Sequence, residues 1–147
     1  MKIQITLLLI DDEVTGLELG DFSLSHFGST ISSAGHKPSQ SMMVFIFLSS
    51  LLGELVFLRR AKNNRRTVVD AADSPFSLQL EKRGRLLFIR NANVTMNMPF
   101  DEFSEELHAS IESWLEIWQP KIDAEDGALC DLLKCISLFR SVFDYPT

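Results

Sequence analysis

Residues 41–66 read SMMVFIFLSSLLGELVFLRRAKNNRR, and this stretch decides between two kinds of fold. From Met42 to Leu58 it holds seventeen residues with a single charge, Glu54. Five basic side chains follow at once, at Arg59, Arg60, Lys62, Arg65 and Arg66. A long apolar run with a positive flank is typical of a membrane-spanning helix. A membrane anchor over residues 42–58 is therefore one interpretation.

The other interpretation makes the same stretch the central helix of a compact domain. Seventeen residues is the lower limit for crossing a hydrocarbon core about 30 Å thick. Ser49, Ser50 and Gly53 interrupt the run. A helix that is apolar nearly all round also suits the middle of a small domain, and basic residues suit its C-terminal turn. We expect a helix over about residues 39–62, with Ser39 as its N-cap.

Length and charge limit the other possibilities. The chain has 147 residues, of which 46% are hydrophobic, so we expect one domain over residues 1–147. The net charge of −6 would repel nucleic acid and anionic lipid. We therefore predict a protein partner, with no nucleic acid and no membrane.

Two features favour a cytoplasmic protein. Cys130 and Cys135 lie five apart in a predicted helix, about 140° apart around its axis, so they cannot readily bridge each other. Unpaired thiols fit a reducing compartment. The N-terminal MKIQITLLLIDDEV has no small-residue cleavage site, so we do not expect it to be a signal peptide.

Alternating and apolar runs predict strands on both sides of the central helix. Residues 3–10 read as a buried strand, and the DFSLSHFG and STISSAG stretches as two more. Residues 76–90 predict a hairpin with its turn at Lys82-Arg83-Gly84, followed by a last strand from Val94 to Met98.

Two amphipathic helices close the chain. Residues 100–118 place Phe103, Leu107 and Ile111 at steps of three or four, and Pro120 ends that pattern. Leu129 begins a second apolar face that runs to Phe143. The fold class is therefore α+β: a mostly antiparallel sheet with one central apolar helix and two C-terminal helices on one face.

No motif in the sequence spells out a reaction. His26 alternates with apolar residues, so we expect it to be partly buried, with a ligand or base role as the minor alternative, while His36 and His108 read as surface residues. Asp11-Asp12-Glu13 after the first strand resembles an acidic metal pocket, but the strand and helix alternation of such domains is missing. We predict neither an enzyme nor a bound cofactor or metal.

Charge is strongly segregated along the chain. Residues 59–90 hold nine basic and three acidic side chains, whereas residues 101–131 hold ten acidic and one basic. The acidic helix either pairs internally with the basic segment or stays solvated, or it offers an acidic surface to a basic partner. Trp114 and Trp118 are then either core residues, which we favour, or interface anchors. The candidate partner-binding residues are Glu102, Glu105, Glu106, Glu112, Glu116, Asp123, Glu125 and Asp126.

Three stretches carry a family resemblance: SSAGHKPSQSMMVFIFLSSLLGELVFL, then DSPFSLQL, then the acidic helix that begins PFDEF. Their order over residues 20–118 resembles small bacterial immunity proteins of contact-dependent inhibition and related polymorphic toxin systems. The resemblance implies an antitoxin that binds a cognate toxin domain, often a nuclease, as a monomer or homodimer. It transfers no functional residues. A structural or adaptor subunit of a larger assembly is the alternative function.

Overall fold

The computed structural model describes residues 1–9 and 13–146. Ile10, the last residue of the predicted first strand, and the acidic pair Asp11-Asp12 lie outside this range. The described elements are β1 (Lys2–Leu7), β2 (Leu19–His26), β3 (Ser29–Ser32), β4 (Met42–Met43), α1 (Val44–Arg60), β5 (Arg65–Asp70), β6 (Ser77–Arg83), β7 (Leu86–Asn91), β8 (Val94–Pro99), α2 (Phe100–Trp118) and α3 (Gly127–Phe143).

The first sheet is built around β2, which pairs antiparallel with β1 on one side and with β3 and β4 on the other. Gly20 is the point where both sides meet, since it pairs with Leu7 and with Met42. A Cβ atom at Gly20 would lie 2.0 Å from the carbonyl oxygen of Thr6. The close approach of three strands therefore requires glycine at this position.

The second sheet is an antiparallel meander in the order β5-β6-β7-β8. It contains the predicted hairpin and the predicted last strand, but the turn lies at Gly84-Arg85 and not at residues 82–84. Lys82 and Arg83 belong to β6 because the ladder continues until Arg83 pairs with Leu86. Gly84 supplies the positive φ that so tight a turn needs.

The α+β class is confirmed, with the strands divided between two sheets. The sequence pattern predicts strands but does not say which of them pair. The strands before α1 form one sheet and the strands after it form the other, so that a single sheet with helices on one face is wrong in this detail.

Helix α1 lies in the core, as the central-helix interpretation predicts. It packs against α3 and β5 and also contacts β2, so it touches both sheets. Among the described helices, none is long and apolar enough to cross a membrane. The α1 side chains buried in the core are Val44, Phe45, Phe47, Leu48, Leu51, Leu52, Leu55, Val56 and Leu58.

The start of α1 differs from the prediction. Ser39 is not its N-cap: the helix begins at Val44, and Met43 precedes it without a side-chain cap. Residues 41–43 are extended because Met42 and Met43 pair with β2, while the Ser41 hydroxyl donates to Asp21 Oδ1 at 2.8 Å. Tertiary contacts thus override a local capping signal.

The C-terminal helices agree closely with the sequence pattern. Helix α2 spans the predicted residues 100–118, and its apolar side packs along β1 and contacts β7 and β8. A short 3₁₀ turn at Gln119–Lys121 follows, with Pro120 in it. Helix α3 begins two residues before Leu129 and has Asp126 as its N-cap.

Replacing Leu51 with alanine should lower the free energy of unfolding by about 3 kcal/mol, because a fully buried leucine would leave a cavity beside α1. Ser50→Ala is the matched control, since Ser50 is exposed on the same helix, and it should change stability by less than about 0.5 kcal/mol. Chemical denaturation followed by fluorescence measures both. Equal effects of the two changes would contradict a central position for α1.

Candidate protein-binding surface

The outward side of α2 carries four of the predicted acidic residues. Glu102, Glu105 and Glu116 are exposed, and Glu106 is half-buried towards β1. They share this side because their spacing keeps them opposite the buried Phe103, Leu107 and Ile111 face. The acidic stripe is therefore a consequence of how α2 docks on the core.

These four carboxylates have no ion-pair partner among the described residues. The negative charge of one of the four, Glu105, acts on Tyr145 of the C-terminal segment. The pKa of Tyr145 is raised, first by burial and then by the negative charges of Glu105 and Asp101. Of the four carboxylates, Glu105 thus acts electrostatically on the C-terminal segment.

Glu112, a fifth predicted residue, is engaged within the molecule. Its carboxylate pairs with the Arg140 guanidinium of α3. The Arg140 Nε–H also donates to His108 Nε2 at 2.9 Å, so the neutral His108 ring carries its proton on Nδ1. Glu112 therefore links α2 to α3.

His108 is not the surface residue that the sequence suggests. Its ring is half-buried, stacks on Phe139 at 6.0 Å and lies 5.0 Å from the Tyr145 ring. Burial lowers its pKa most, Arg140 lowers it further, and Glu112 acts in the opposite direction. His108 is a polar member of the α2–α3 interface.

The loop between α2 and α3 divides the last three predicted residues into two roles. Asp123 and Glu125 are exposed, and Asp123 Oδ1 accepts the Glu125 N–H at 2.8 Å. Asp126 caps α3 by accepting the Leu129 N–H at 3.0 Å, and its other oxygen accepts the Gly16 N–H at 3.0 Å. Asp126 is therefore a structural residue that ties the loop to the β1–β2 connection.

Ion pairs between the basic segment, residues 59–90, and the acidic segment, residues 101–131, neutralise little of the acidic charge. Among the described residues, Arg59–Asp101, at 3.0 Å, is the one ion pair that joins the two segments. Arg66 and Arg83 instead pair with Glu81 inside the second sheet, at 3.2 and 2.9 Å, and they lower the pKa of Glu81. Most acidic side chains of α2 face solvent.

A groove that the sequence pattern does not predict lies beside the acidic loop. It has a volume of about 500 Å³, and Leu115, Ile122, Leu129 and Leu133 line it, with Glu116 at its rim. It forms because the 3₁₀ turn folds the chain back between α2 and α3. An apolar groove next to exposed carboxylates offers a place for a partner's side chain.

The two tryptophans differ in their surroundings. Trp114 is buried and its ring lies 4.7 Å from that of Phe45, which confirms the core interpretation for this residue. Trp118 is half-buried near the end of α2, with the Lys121 ammonium 4.8 Å from its ring centre. Trp118 is thus neither a core residue nor part of the groove lining.

The remaining polar candidates do not converge on a site. His26 is half-buried and its ring centre lies 4.3 Å from that of Phe27, with the two rings tilted by 48°, and His36 Nε2 lies 2.8 Å from the Ser32 carbonyl oxygen. In the part of the chain that the structure describes, no group of three potential ligands could hold a metal ion. Cys130 and Cys135 are both free thiols on α3.

Comparison with known proteins identifies no relative. The chain matches no protein-family model, no curated protein and no solved structure.

Lowering the pH should destabilise the fold through His108. Its folded-state pKa lies below 6.5, so between 6.5 and that lower value the unfolded chain binds a proton that the folded chain does not. The His108 contribution is therefore complete above pH 6.5 and is lost as the pH falls towards the folded pKa. His108→Gln should flatten this part of the curve of unfolding free energy against pH.

His36→Gln is the control for this measurement, because His36 is exposed. It should leave the slope of the wild type unchanged. Identical slopes for the wild type and His108→Gln, obtained by denaturant titration across the pH series, would show that the α2–α3 interface accepts the charged imidazolium without cost.

Asp126→Ala should lower the free energy of unfolding by about 1–2 kcal/mol, because the helix N-cap and the bond to Gly16 are lost together. Glu125→Ala, at the exposed neighbour, should stay within about 0.5 kcal/mol of the wild type. Thermal or chemical denaturation compares them. A neutral Asp126→Ala would remove the structural role assigned to this residue.

Proposed function

We propose that this chain is an immunity protein: an antitoxin that binds a cognate bacterial toxin domain in the cytoplasm and neutralises it. The observation that carries the proposal is the acidic outward side of α2, where Glu102, Glu105, Glu106 and Glu116 have no ion-pair partner among the described residues. The family resemblance of residues 20–118 supports the same function. In this proposal the chain acts by binding and catalyses no reaction.

Electrostatics favour a toxin of the nuclease class as the partner. A nuclease holds the phosphates of its substrate with basic side chains, so its active cleft attracts an acidic surface. Glu102, Glu105 and Glu116 would meet such a cleft, and the exposed Asp123 and Glu125 would extend the contact beyond the helix end. Complementary charge would speed association and select the partner.

The apolar groove beside Glu116 would supply affinity that charge alone does not. Exposed ion pairs contribute little individually, and interfaces take most of their binding energy from a few buried anchors. A partner side chain that fills the groove between Leu115 and Leu133 would be such an anchor. In this proposal the exposed carboxylates speed association, and the apolar groove supplies most of the affinity.

Growth rescue tests the function directly. The protein is co-expressed in bacteria with the C-terminal toxic domain encoded by the neighbouring gene, and growth is compared with and without it. Rescue, together with a complex that survives purification, is the expected result. A folded protein that neither rescues growth nor binds the toxic domain would rule out the antitoxin function and favour the adaptor role.

Reversing Glu105 and Glu116 to lysine should weaken the complex about tenfold to hundredfold, because two attractions to a basic surface become repulsions. The control reverses Glu13 and Asp70, which are exposed and lie outside α2, and it changes the net charge equally. Titration calorimetry measures both affinities. Equal losses in the two variants would mean that net charge, and not the α2 surface, governs binding. Glu112 stays unchanged here because it holds Arg140.

A further inference from the structure

The C-terminal end of α1 forms a second unusual surface, which the proposed function does not use. Phe57 on α1 and Leu138 on α3 are 49% and 46% exposed, and they line one groove of about 660 Å³ together with Gly53 and Val56. Phe57 and Leu138 thus form an apolar floor to the groove, where α1 meets α3, and this floor is open to solvent. The groove is therefore shaped to receive an apolar or helical element.

Basic side chains surround this floor. Arg60, Lys62 and Arg65 line the same groove, and all three are exposed. Within the described residues none of them makes an ion pair, unlike Arg59, which pairs with Asp101, and Arg66, which pairs with Glu81. The groove therefore has three cations without ion-pair partners around an apolar floor. A complementary binding partner would carry acidic side chains at its edges and apolar or small side chains at its centre.

The outward side of α2 has this composition. Its carboxylates flank the small residues Ala109 and Ser113, and Ile117 at the end of the helix is 57% exposed. The chain thus carries both halves of a complementary pair of surfaces. They do not neutralise each other within one molecule, because Arg59–Asp101 is the single ion pair between the basic and acidic segments among the described residues.

We propose that the α1 groove of one molecule binds the acidic side of α2 of a second copy of this chain. The groove takes Ile117 and the small centre of the helix against Phe57 and Leu138, and its three cations face the carboxylates of α2. Because this contact covers the acidic side of α2, it competes with the partner proposed above. It does not depend on that partner and is measured on the protein alone.

Analytical ultracentrifugation of the isolated protein tests the contact at about 20 mM and about 500 mM salt, where screening of exposed charges differs strongly. The wild type should self-associate at low salt, and its association constant should fall at least about tenfold at high salt, which is about 1.4 kcal/mol. A wild type that stays monomeric at low salt up to the solubility limit would overturn the proposal.

Two neutral variants identify the surfaces. The groove variant carries Arg60→Gln, Lys62→Gln and Arg65→Gln, and the helix variant carries Glu102→Gln, Glu105→Gln and Glu116→Gln. Each alone should be monomeric, whereas an equimolar mixture should form a 1:1 complex, because one intact groove then meets one intact helix. A mixture that stays monomeric, or a single variant that associates like the wild type, would overturn the proposal.

A matched control changes three other exposed basic residues, with Lys2→Gln, Lys37→Gln and Arg85→Gln. It alters the net charge as the groove variant does and should associate like the wild type. An anionic lipid surface is the other acidic ligand that could bind such a groove. Sedimentation with vesicles containing about 30% phosphatidylserine tests for it. Vesicle binding that the groove variant abolishes, in a protein that does not self-associate, would overturn the proposal and assign the groove to lipid.

Discussion

The central constraint on this molecule is that α1 is apolar around almost its whole circumference. Each buried Leu or Phe side chain contributes about 1.5–3 kcal/mol only if it is covered, so the helix must be packed from every side. The first sheet, the second sheet and α3 share this task, and their buried side chains form one continuous cluster with α1. The narrow strip left open, at Gly53, Phe57 and Arg60, is where the α1 groove lies.

Polar groups are placed by the same requirement. Two carboxylates that are wholly or partly buried are paired: Asp21 accepts hydrogen bonds from Ser33 and Ser41, and Glu54 accepts one from Thr67. The Arg140 guanidinium joins Glu112 and His108 across the α2–α3 interface. The remaining carboxylates of α2 are kept on the surface, because burying them without partners would cost far more than exposure. The outward side of α2 is thus acidic because its apolar residues are buried in the core and its unpaired carboxylates stay in solvent.

Both proposals follow from unpaired charge, and they compete for one surface. The acidic side of α2 can meet a basic toxin or the basic groove of a second copy, but not both at once. Self-association would then hold the free protein in a form from which the partner must displace it, and the binding of one would weaken the binding of the other by the same factor. If both proposals hold, such competition would keep the acidic side of α2 and the basic groove covered until the partner binds.

The sequence by itself determined the type of most elements, the limits of α2 and the apolar character of α1, because side-chain periodicity depends only on the local chain. It also determined the charge of the residues that form the candidate surface. Only the tertiary structure decided that the strands split into two sheets, that Met42 and Met43 join β2 in place of a helix capped by Ser39, and that Glu112 and Asp126 have structural partners. It alone decided which carboxylates stay exposed and where the grooves form. The physical reason is that strand pairing, ion pairing and cavities depend on residues far apart in the chain, and their approach is set by how the whole core packs.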